Sequence, residues 1–476
     1  MGLALNLNRD DDLALYRQIA EQLRTQIQQG RLPAGTRLPT LRQLSAELSV
    51  TRLTVQNAYS ELQADGLIES IVGRGTFVSQ EAQPEKLPRP VAEAFNPESM
   101  LGDLHHLMHV RVVRKLVSNQ PDSSLFPVDE FWASLMAIRP DGQELLGYGT
   151  PMGDSQLRVE LVKMISEIGI ASSPSQLLIT NGAMHGIDLA ARGLARAGDV
   201  ALVEEPTFLV LHNLLKEQGI RLIAVPMDEN GPKLDVLQRI LLRERPRFYY
   251  TMPNFHNPTG ICFSAEHRRA ILDLSIKHNF TIVEDDAYSL LAYDAPPPPS
   301  LAALSIRPNV LYISSLSKML LPGLRIGFMS GDAELIEQIM RIRQLSDLSG
   351  SPLMQRAAAH FLKSGGFKRH LKRVIPVYRQ KRDTLVLALQ RYMPPFVSWT
   401  HPVGGFCLWL TMPRLFESGE LYRIALEQGI AFAAGEAFLS RPTEQEHLRL
   451  SYGNQSREGI YAGVEQLAQI IRHRAR

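Results

Sequence analysis

Residues 310–327 read VLYISSLSKMLLPGLRIG, and this stretch indicates both the fold and the chemistry of the larger part of the chain. An apolar run opens it and is typical of a buried strand. Lys318 follows on the loop after that strand, preceded by Ser315 and Ser317, and Arg325 comes later on the same loop. A lysine amine condenses with an aldehyde to a Schiff base, while hydroxyl and guanidinium groups hold a phosphate. The stretch therefore predicts a site for a phosphorylated aldehyde.

Two upstream segments supply groups that a pyridine ring needs. Segment 282–288 reads IVEDDAY, so a strand delivers Asp285 to its end, with Tyr288 on the loop beyond. A pyridine nitrogen keeps its proton, and acts as an electron sink, beside a carboxylate. Segment 253–260, PNFHNPTG, adds the amide of Asn257 in a rigid turn.

A third segment, 181–186 (NGAMHG), is a glycine-containing strand-to-helix turn whose free backbone N–H groups suit a phosphate. Strand-like and helical runs alternate through this part of the chain, which predicts an α/β domain with a mostly parallel or mixed sheet. Sites in such domains gather at the loops after strands, where the groups above lie. The predicted strands are 177–180, 200–204, 222–226, 248–252, 281–284 and 310–314.

In this order the segments resemble the fold-type I aminotransferases, closest to their α-aminoadipate/kynurenine subgroup, over residues 118–476. The resemblance implies a large α/β transferase domain that binds pyridoxal 5'-phosphate, with Lys318 as the Schiff-base lysine. It implies that Asp285 pairs with the pyridine nitrogen. Tyr288 and Asn257 would hydrogen-bond the ring hydroxyl, and Phe208 would stack on the ring.

The same resemblance assigns the remaining contacts. Arg449, in HLRLS at 447–451, matches the arginine that binds the substrate α-carboxylate. Tyr148 matches a tyrosine that reaches the phosphate of a neighbouring subunit, which implies a homodimer. The groups that would hold the phosphate are Ser315, Ser317, Arg325 and the backbone of Ala183 and Met184.

Two positions depart from the family pattern. Segment 117–122, VSNQPD, stands where the family usually carries a glycine pair, so substrate contacts from that loop stay open. Met184 replaces a residue that is commonly polar. Neither change removes a group that the cofactor needs.

The first eighty residues have a different pattern. Apolar residues from Leu13 to Ile27 recur at helical spacing. Thr40 with Gln43 forms the reciprocal capping pattern of a second, short helix, and Thr51 is placed to cap a third. Two short helices across a tight turn indicate a helix-turn-helix. Paired strand-like runs around a glycine-flanked arginine then indicate a wing.

The motifs LPTLR at 38–42, VTRLTV at 50–55 and GRGTFV at 73–78 resemble the signature of GntR-type winged helices. In that family the second helix of the turn enters the major groove. Most protein–DNA contacts go to phosphates and position the protein rather than specify a base. The resemblance assigns DNA contacts to Arg42, Arg52 and Thr54, and the adjacent groove to Arg74 at the tip of the wing.

Composition is that of a globular protein with more than one domain: 476 residues, 45% hydrophobic and 21% charged. A net charge of +2 means that any DNA footprint is local. Cys262 and Cys407 form no CxxC pair and are expected to be reduced and structural. The N-terminus does not resemble a signal peptide, and neither a membrane-spanning stretch nor metal-ligand spacing appears. We therefore expect a cytoplasmic protein without a bound metal.

The polar, proline-bearing stretch SQEAQPEKLPRP at 79–90 is typical of an interdomain linker. We predict a winged helix-turn-helix at 10–80, a linker and connecting segment at 81–117, and the cofactor-binding domain at 118–476.

This domain order resembles the MocR/GabR subfamily of GntR regulators. The resemblance implies a transcription regulator that binds double-stranded operator DNA and pyridoxal 5'-phosphate, and that senses an amino compound or the cofactor itself. The alternative is a working aminotransferase of 2-amino acids that carries a DNA-binding arm. Whether transamination turns over stays open, as do the effector, the operator and the sign of regulation. The residues that keep this alternative open are Asn257, Asp285, Tyr288, Lys318 and Arg449.

Overall fold

A computed structural model of the chain describes residues 5, 7, 14–28, 32–64, 66–71, 75–79, 114–416 and 419–475. The chain divides into two compact units, whose described residues run up to 79 in the first and from 114 in the second. Arg74 and nearly all of the predicted connecting segment lie outside the described residues. The predicted boundaries at residues 80 and 118 stay predictions.

The first unit is a helix-turn-helix followed by a two-stranded wing, as predicted from the sequence. The strands β1 and β2 pair antiparallel, with Ile68 opposite Val78. Its elements are α1 (Leu15–Gln28), α2 (Leu41–Glu47), α3 (Arg52–Ala64), β1 (Ile68–Ile71) and β2 (Gly75–Val78).

Side-chain caps fix where the helices of this unit begin. The Thr40 hydroxyl accepts the backbone N–H of Gln43, and the Gln43 side chain accepts the backbone N–H of Thr40. Thr51 caps α3 by accepting the N–H of Thr54 at 3.1 Å. Gly66 ends the helix with a φ of 69°, a value that glycine adopts at little cost. The helices enclose a small apolar core that includes Ile19, Ala20, Leu23, Ile27, Leu44, Val55, Ala58, Tyr59 and Leu62.

The second unit is built on an eight-stranded mixed sheet in the order β4-β11-β10-β9-β8-β5-β6-β7. The neighbours from β10 to β6 are parallel, whereas β11 runs antiparallel to both of its neighbours. All residues of β4, β8 and β10 are buried. The strands up to β11 are β3 (Arg114–Lys115), β4 (Leu177–Thr180), β5 (Val200–Glu205), β6 (Arg221–Asp228), β7 (Gly231–Pro232), β8 (Phe248–Thr251), β9 (Thr281–Asp285), β10 (Val310–Ser315) and β11 (Gly327–Ser330).

A second, antiparallel sheet in the order β12-β13-β16-β15 lies in the C-terminal part of this unit. It positions Arg449, which lies opposite Trp409 in the pairing of β16 with β13. A short parallel pair joins β3 to β14, with Arg114 opposite Ile430. These strands are β12 (Ser398–Trp399), β13 (Cys407–Pro413), β14 (Ile430–Ala431), β15 (Ala433–Ala434) and β16 (Gln445–Ser451).

Helices connect these strands. No helix among the described residues combines the length and the apolar character that crossing a membrane requires. The α-helices of the second unit are Val128–Ala137, Gly142–Leu145, Ser155–Ser166, Ala183–Leu194, Leu209–Glu217, Leu234–Leu241, Ala265–His278, Leu301–Leu304, Ala333–Gln344, Pro352–Lys363, Gly366–Tyr392, Glu420–Glu427 and Arg457–Arg474. The short 3₁₀ turns are Ser123–Leu125, Arg139–Asp141, Pro174–Gln176, Ser289–Leu291, Pro322–Leu324 and Gly435–Phe438.

The predicted fold class is confirmed, and each of the six predicted strands coincides with an observed one to within two residues at either end. The strand β11 was not predicted from the sequence. It is only four residues long and begins at Gly327, directly after the loop that holds Lys318. Its antiparallel insertion between β4 and β10, together with the antiparallel pairing of β7 with β6, makes the sheet mixed.

Candidate functional site

A cavity of about 370 Å³ opens at the carboxyl ends of the parallel strands of the second unit. Parallel strands bring their carboxyl ends to one edge of a sheet, so loops that are far apart in sequence meet there. The cavity is lined by eleven residues that the sequence had singled out: Ala183, Met184, Phe208, Asn257, Asp285, Tyr288, Ser315, Ser317, Lys318, Arg325 and Arg449.

Lys318 is the nucleophile that the cavity offers. Its Nζ donates a hydrogen bond of 2.6 Å to the backbone oxygen of Asn119. Burial lowers the pKa of Lys318 to about 8, and the positive charge of Arg449 acts in the same direction. A larger fraction of the amine is therefore neutral near pH 7 than for an ordinary lysine, and the neutral amine is the form that attacks a carbonyl.

Asp285 provides a buried carboxylate on the same wall. Its Oδ2 accepts a hydrogen bond of 2.6 Å from the hydroxyl of Tyr250. Its Oδ1 is buried and has no hydrogen-bond partner among the described residues. Burial raises the pKa of Asp285 to about 6, and the hydrogen bond from Tyr250 opposes that rise. The unpaired Oδ1 can accept a hydrogen bond from a protonated ring nitrogen. The positive charge of that nitrogen would keep the carboxylate ionised.

Arg449 and Asn257 form a joint anchor. One terminal nitrogen of Arg449 donates to Asn257 Oδ1 at 2.9 Å, and the other donates to the backbone oxygen of Val117 at 2.8 Å. The guanidinium lies 5.0 Å from the ring centroid of Phe438. Its Nε is buried and has no partner among the described residues. A buried, positioned guanidinium of this kind suits a carboxylate.

Backbone geometry shapes a phosphate cradle at the turn after β4. Gly182 has a φ of 89° and precedes the helix Ala183–Leu194, whose first N–H groups have no partner within the helix. A Cβ on Gly327 would lie 2.5 Å from the carbonyl carbon of Gly182. The close approach of these two chain segments therefore requires glycine at position 327. Arg325 closes the turn by donating to the backbone oxygen of Asn181 at 3.0 Å.

Asn119 and Tyr250 contact groups of this site but were not singled out as site residues from the sequence. Asn119 contacts Lys318 through its backbone and donates its side-chain N–H to the Tyr288 hydroxyl at 2.8 Å. Tyr250 holds Asp285. Only Asn119 had a signal in the sequence, because its segment departs from the family pattern. Cys407, expected to be structural, is buried with its sulfur 4.0 Å from the Asn119 amide nitrogen.

Tyr148 lies apart from these residues. Its side chain is 92% exposed and does not line the cavity. The predicted contact of Tyr148 with a neighbouring subunit stays a prediction.

The first unit presents a separate candidate surface at its helix-turn-helix. Arg42 in α2 and Arg52 at the start of α3 are exposed. Thr54 is half-buried, and its hydroxyl lies 2.8 Å from the hydroxyl of Thr51. The two exposed guanidiniums can reach phosphate oxygens or base edges, whereas Thr54 also serves the helix cap. Arg74 lies outside the described residues.

Comparison with known proteins agrees with both parts. Residues 15–78 match the family model of bacterial regulatory proteins of the gntR family. Residues 112–467 match the model of aminotransferase class I and II.

Similar proteins include full-length regulators and a solved aminotransferase. The uncharacterized HTH-type transcriptional regulator YisV of Bacillus subtilis is 30% identical over 98% of this chain and 97% of its own length. The probable rhizopine catabolism regulatory protein MocR of Rhizobium meliloti is 28% identical over 97% of this chain and 95% of its own. The α-aminoadipate aminotransferase LysN from Thermus thermophilus, complexed with N-(5'-phosphopyridoxyl)-L-leucine, matches with a TM-score of 0.72 and 32% identity. That match covers 80% of this chain and 99% of the LysN chain.

Proposed function

Because the chain belongs to the aminotransferase class I and II family and carries a GntR-family domain, as MocR-type regulators do, we propose that it is a transcription regulator that senses an amino compound. The larger unit binds pyridoxal 5'-phosphate, and the smaller one binds operator DNA. The observation that carries this proposal is the cavity in which Lys318, Asp285, Tyr288 and Arg449 converge within a chain that also has a helix-turn-helix.

The unpaired groups of the cavity fit the cofactor. Asp285 Oδ1 would face the ring nitrogen, and the hydroxyl proton of Tyr288 has no acceptor among the described residues and would face the ring oxygen. The cradle at Gly182, with Ser315, Ser317 and Arg325, would hold the phosphate. The bound cofactor supplies an aldehyde for an amine and an electron sink in its ring.

The chain's own residues then perform three tasks. Lys318, which reacts as the neutral amine, would hold the cofactor covalently and would be released when the amine of a ligand takes its place. Asp285 keeps the proton on the ring nitrogen. Arg449 binds a ligand carboxylate through its guanidinium and fixes Asn257 beside the ring. A phosphopyridoxyl-leucine adduct bound to LysN supports a 2-amino acid as the class of ligand.

DNA binding would come from α2 and α3 of the first unit, with Arg42 and Arg52 on phosphates or base edges, and from Arg74 at the wing. Two copies of the unit in a homodimer would read two half-sites, and Tyr148 would contribute to the partner's phosphate site. Operator binding would place the protein in the cytoplasm. For an amino compound to regulate transcription, it must bind better to one arrangement of the dimer than to the other.

A second candidate is a working aminotransferase, and one observation favours it. Lys318, Asp285, Tyr288, Asn257 and Arg449 all line one cavity, so no group that moves a proton or anchors an amino acid has been lost. Turnover also requires that a 2-oxo acid enters the cavity and that its carboxylate reaches Arg449.

One experiment separates the two candidates. Purified full-length protein is loaded with pyridoxal 5'-phosphate, and single amino acids and amines are added while visible absorbance and affinity for the upstream DNA are measured in the same samples. If the protein is a regulator, at least one added compound should change both the visible absorbance and the DNA affinity, and no 2-oxo acid should accumulate. If a compound gives 2-oxo acid with turnover and DNA affinity is unchanged, the regulator proposal is wrong.

A further inference from the structure

The loop that carries Asn119 is held firmly against the cavity. The backbone N–H of Ser451 donates to the oxygen of Leu116 at 2.7 Å, next to the Val117 oxygen that Arg449 binds. On the other side of Asn119, the carboxylate of Asp122 pairs with the ammonium of Lys381 at 2.6 Å. These contacts anchor both ends of the loop, so Asn119 has a defined place beside Lys318 and Tyr288.

The hydrogen bond from Asn119 decides where the Tyr288 proton points. The Asn119 Nδ2 donates to the Tyr288 hydroxyl oxygen at 2.8 Å. A phenol has a single proton, and no described residue accepts it from Tyr288. Because the amide occupies the oxygen as a donor, the hydroxyl proton is directed into the cavity. An acceptor at the place of Nδ2 would instead draw the proton away from the cavity.

We propose that Asn119 is a positioning residue that fixes the Tyr288 hydroxyl as a hydrogen-bond donor to the ring oxygen of the bound cofactor. The proposal rests on the proposed function, because it requires pyridoxal 5'-phosphate in the cavity. Donation from Tyr288 stabilises the ring oxygen as an anion. It thereby favours the deprotonated state of the bound cofactor and lowers the pH at which its visible absorbance changes.

The side chain alone carries this role, so it can be tested apart from the backbone. The contact of Asn119 with Lys318 uses the main-chain oxygen and survives substitution. Asn119→Asp keeps the shape but replaces the donor by an acceptor, whereas Asn119→Ala removes the donor and some packing. A purely steric role predicts that Ala is the more harmful change. The positioning role predicts that Asp is.

The experiment measures two properties of the full chain: the dissociation constant for pyridoxal 5'-phosphate and the pH midpoint of its visible absorbance. We expect Asn119→Asp to weaken binding about tenfold and to raise the midpoint by about one pH unit, since hydrogen bonds to charged groups have this size. Asn119→Ala should change both in the same direction by less. Ser123→Ala is the matched control, because Ser123 lies on the same segment but is exposed and does not line the cavity, so its loss should change neither property.

A double-mutant cycle identifies the path of the effect. Tyr288→Phe removes the group through which Asn119 acts, so Asn119→Ala should add little to it. Equal effects of Asn119→Ala in both backgrounds, or wild-type behaviour of Asn119→Asp, would overturn the proposal. If the wild-type protein binds no pyridoxal 5'-phosphate, the proposed function itself fails. Normal binding with unaffected variants rejects the role of Asn119 alone.

Discussion

Replacing Asp285 by asparagine should stabilise the cofactor-free protein while weakening its hold on the cofactor. The carboxylate is buried, its Oδ1 has no partner among the described residues, and Tyr250 provides its single side-chain hydrogen bond. Asparagine keeps the size and offers Tyr250 an acceptor, but it carries no charge. The substitution therefore removes the cost of a buried charge and, with it, the partner of the ring nitrogen.

The size of the stabilisation follows from the pKa. Burial raises the pKa of Asp285 from 3.8 to about 6. A carboxyl with a higher pKa in the folded protein binds protons more tightly there, so its contribution to stability is lost as pH rises from about 4 to about 6. Each pKa unit corresponds to about 1.4 kcal/mol, so the ionised carboxylate costs the free protein roughly 3 kcal/mol above that window. Loss of the ring-nitrogen partner should weaken cofactor binding about a hundredfold, in line with breaking a buried ion pair.

Urea unfolding followed by tryptophan fluorescence measures the effect in the correct unit, since the three tryptophans, Trp132, Trp399 and Trp409, all belong to the second unit. Cofactor-free Asp285→Asn should unfold at higher urea than wild type at pH 8, and the difference should shrink toward pH 4. Asp286→Asn is the control. That carboxylate accepts hydrogen bonds from Tyr312, Asn254 and Ser289, so its loss should destabilise the protein. An Asp285→Asn protein that is less stable than wild type at pH 8 would show that the buried carboxylate does not cost stability, and normal cofactor binding would show that Asp285 is not the partner of the ring nitrogen.

Three further changes have defined outcomes. Arg449→Lys keeps the positive charge but loses the planar guanidinium that can donate two hydrogen bonds to a carboxylate. Calorimetry should therefore show about tenfold weaker binding of 2-amino acids and unchanged binding of amines that lack a carboxylate. Arg52→Ala should weaken operator binding and reduce the salt dependence by about one released ion, whereas Arg17→Ala, an exposed arginine on α1, should not. The rate of cofactor capture, followed by stopped-flow absorbance, should rise with pH and level off above the Lys318 pKa of about 8, because the neutral amine reacts. A rate that does not change as pH approaches about 8 from below would contradict that assignment.

Local chemistry made much of the fold predictable. The capping box at Thr40 and Gln43 and the glycine at 66 are interactions between residues close in sequence, so they can be read directly from it. The buried strands are continuous apolar runs. The strand β11 could not be predicted from the sequence. It is only four residues long, and its pairing with β4 and β10 leaves no local pattern.

In the candidate site, too, residues in local motifs could be predicted from the sequence, whereas residues whose role depends on long-range contacts could not. Residues of the family motifs line the cavity because most of them lie at or just beyond the end of a predicted strand. Tyr250 could not be identified in advance, since its role depends on lying beside Asp285 in the neighbouring strand, and many buried tyrosines have no such partner. Asn119 comes from a segment without secondary structure. Its hydrogen bonds reach residues that lie 169 and 199 positions away, a separation that only the folded chain can bring together.

If the protein is a regulator, a ligand at Lys318 and operator DNA at α3 influence each other's binding, and thermodynamic linkage between the two sites can be measured. If an amino compound changes operator affinity by some factor, operator DNA must change the affinity for that compound by the same factor. The measurement is the dissociation constant of the compound for cofactor-loaded full-length protein, with and without saturating operator DNA, beside the DNA affinity with and without the compound. We expect two equal ratios that differ from one in the wild-type protein and that return to one in Lys318→Ala. A compound that binds equally well with and without operator DNA would contradict it.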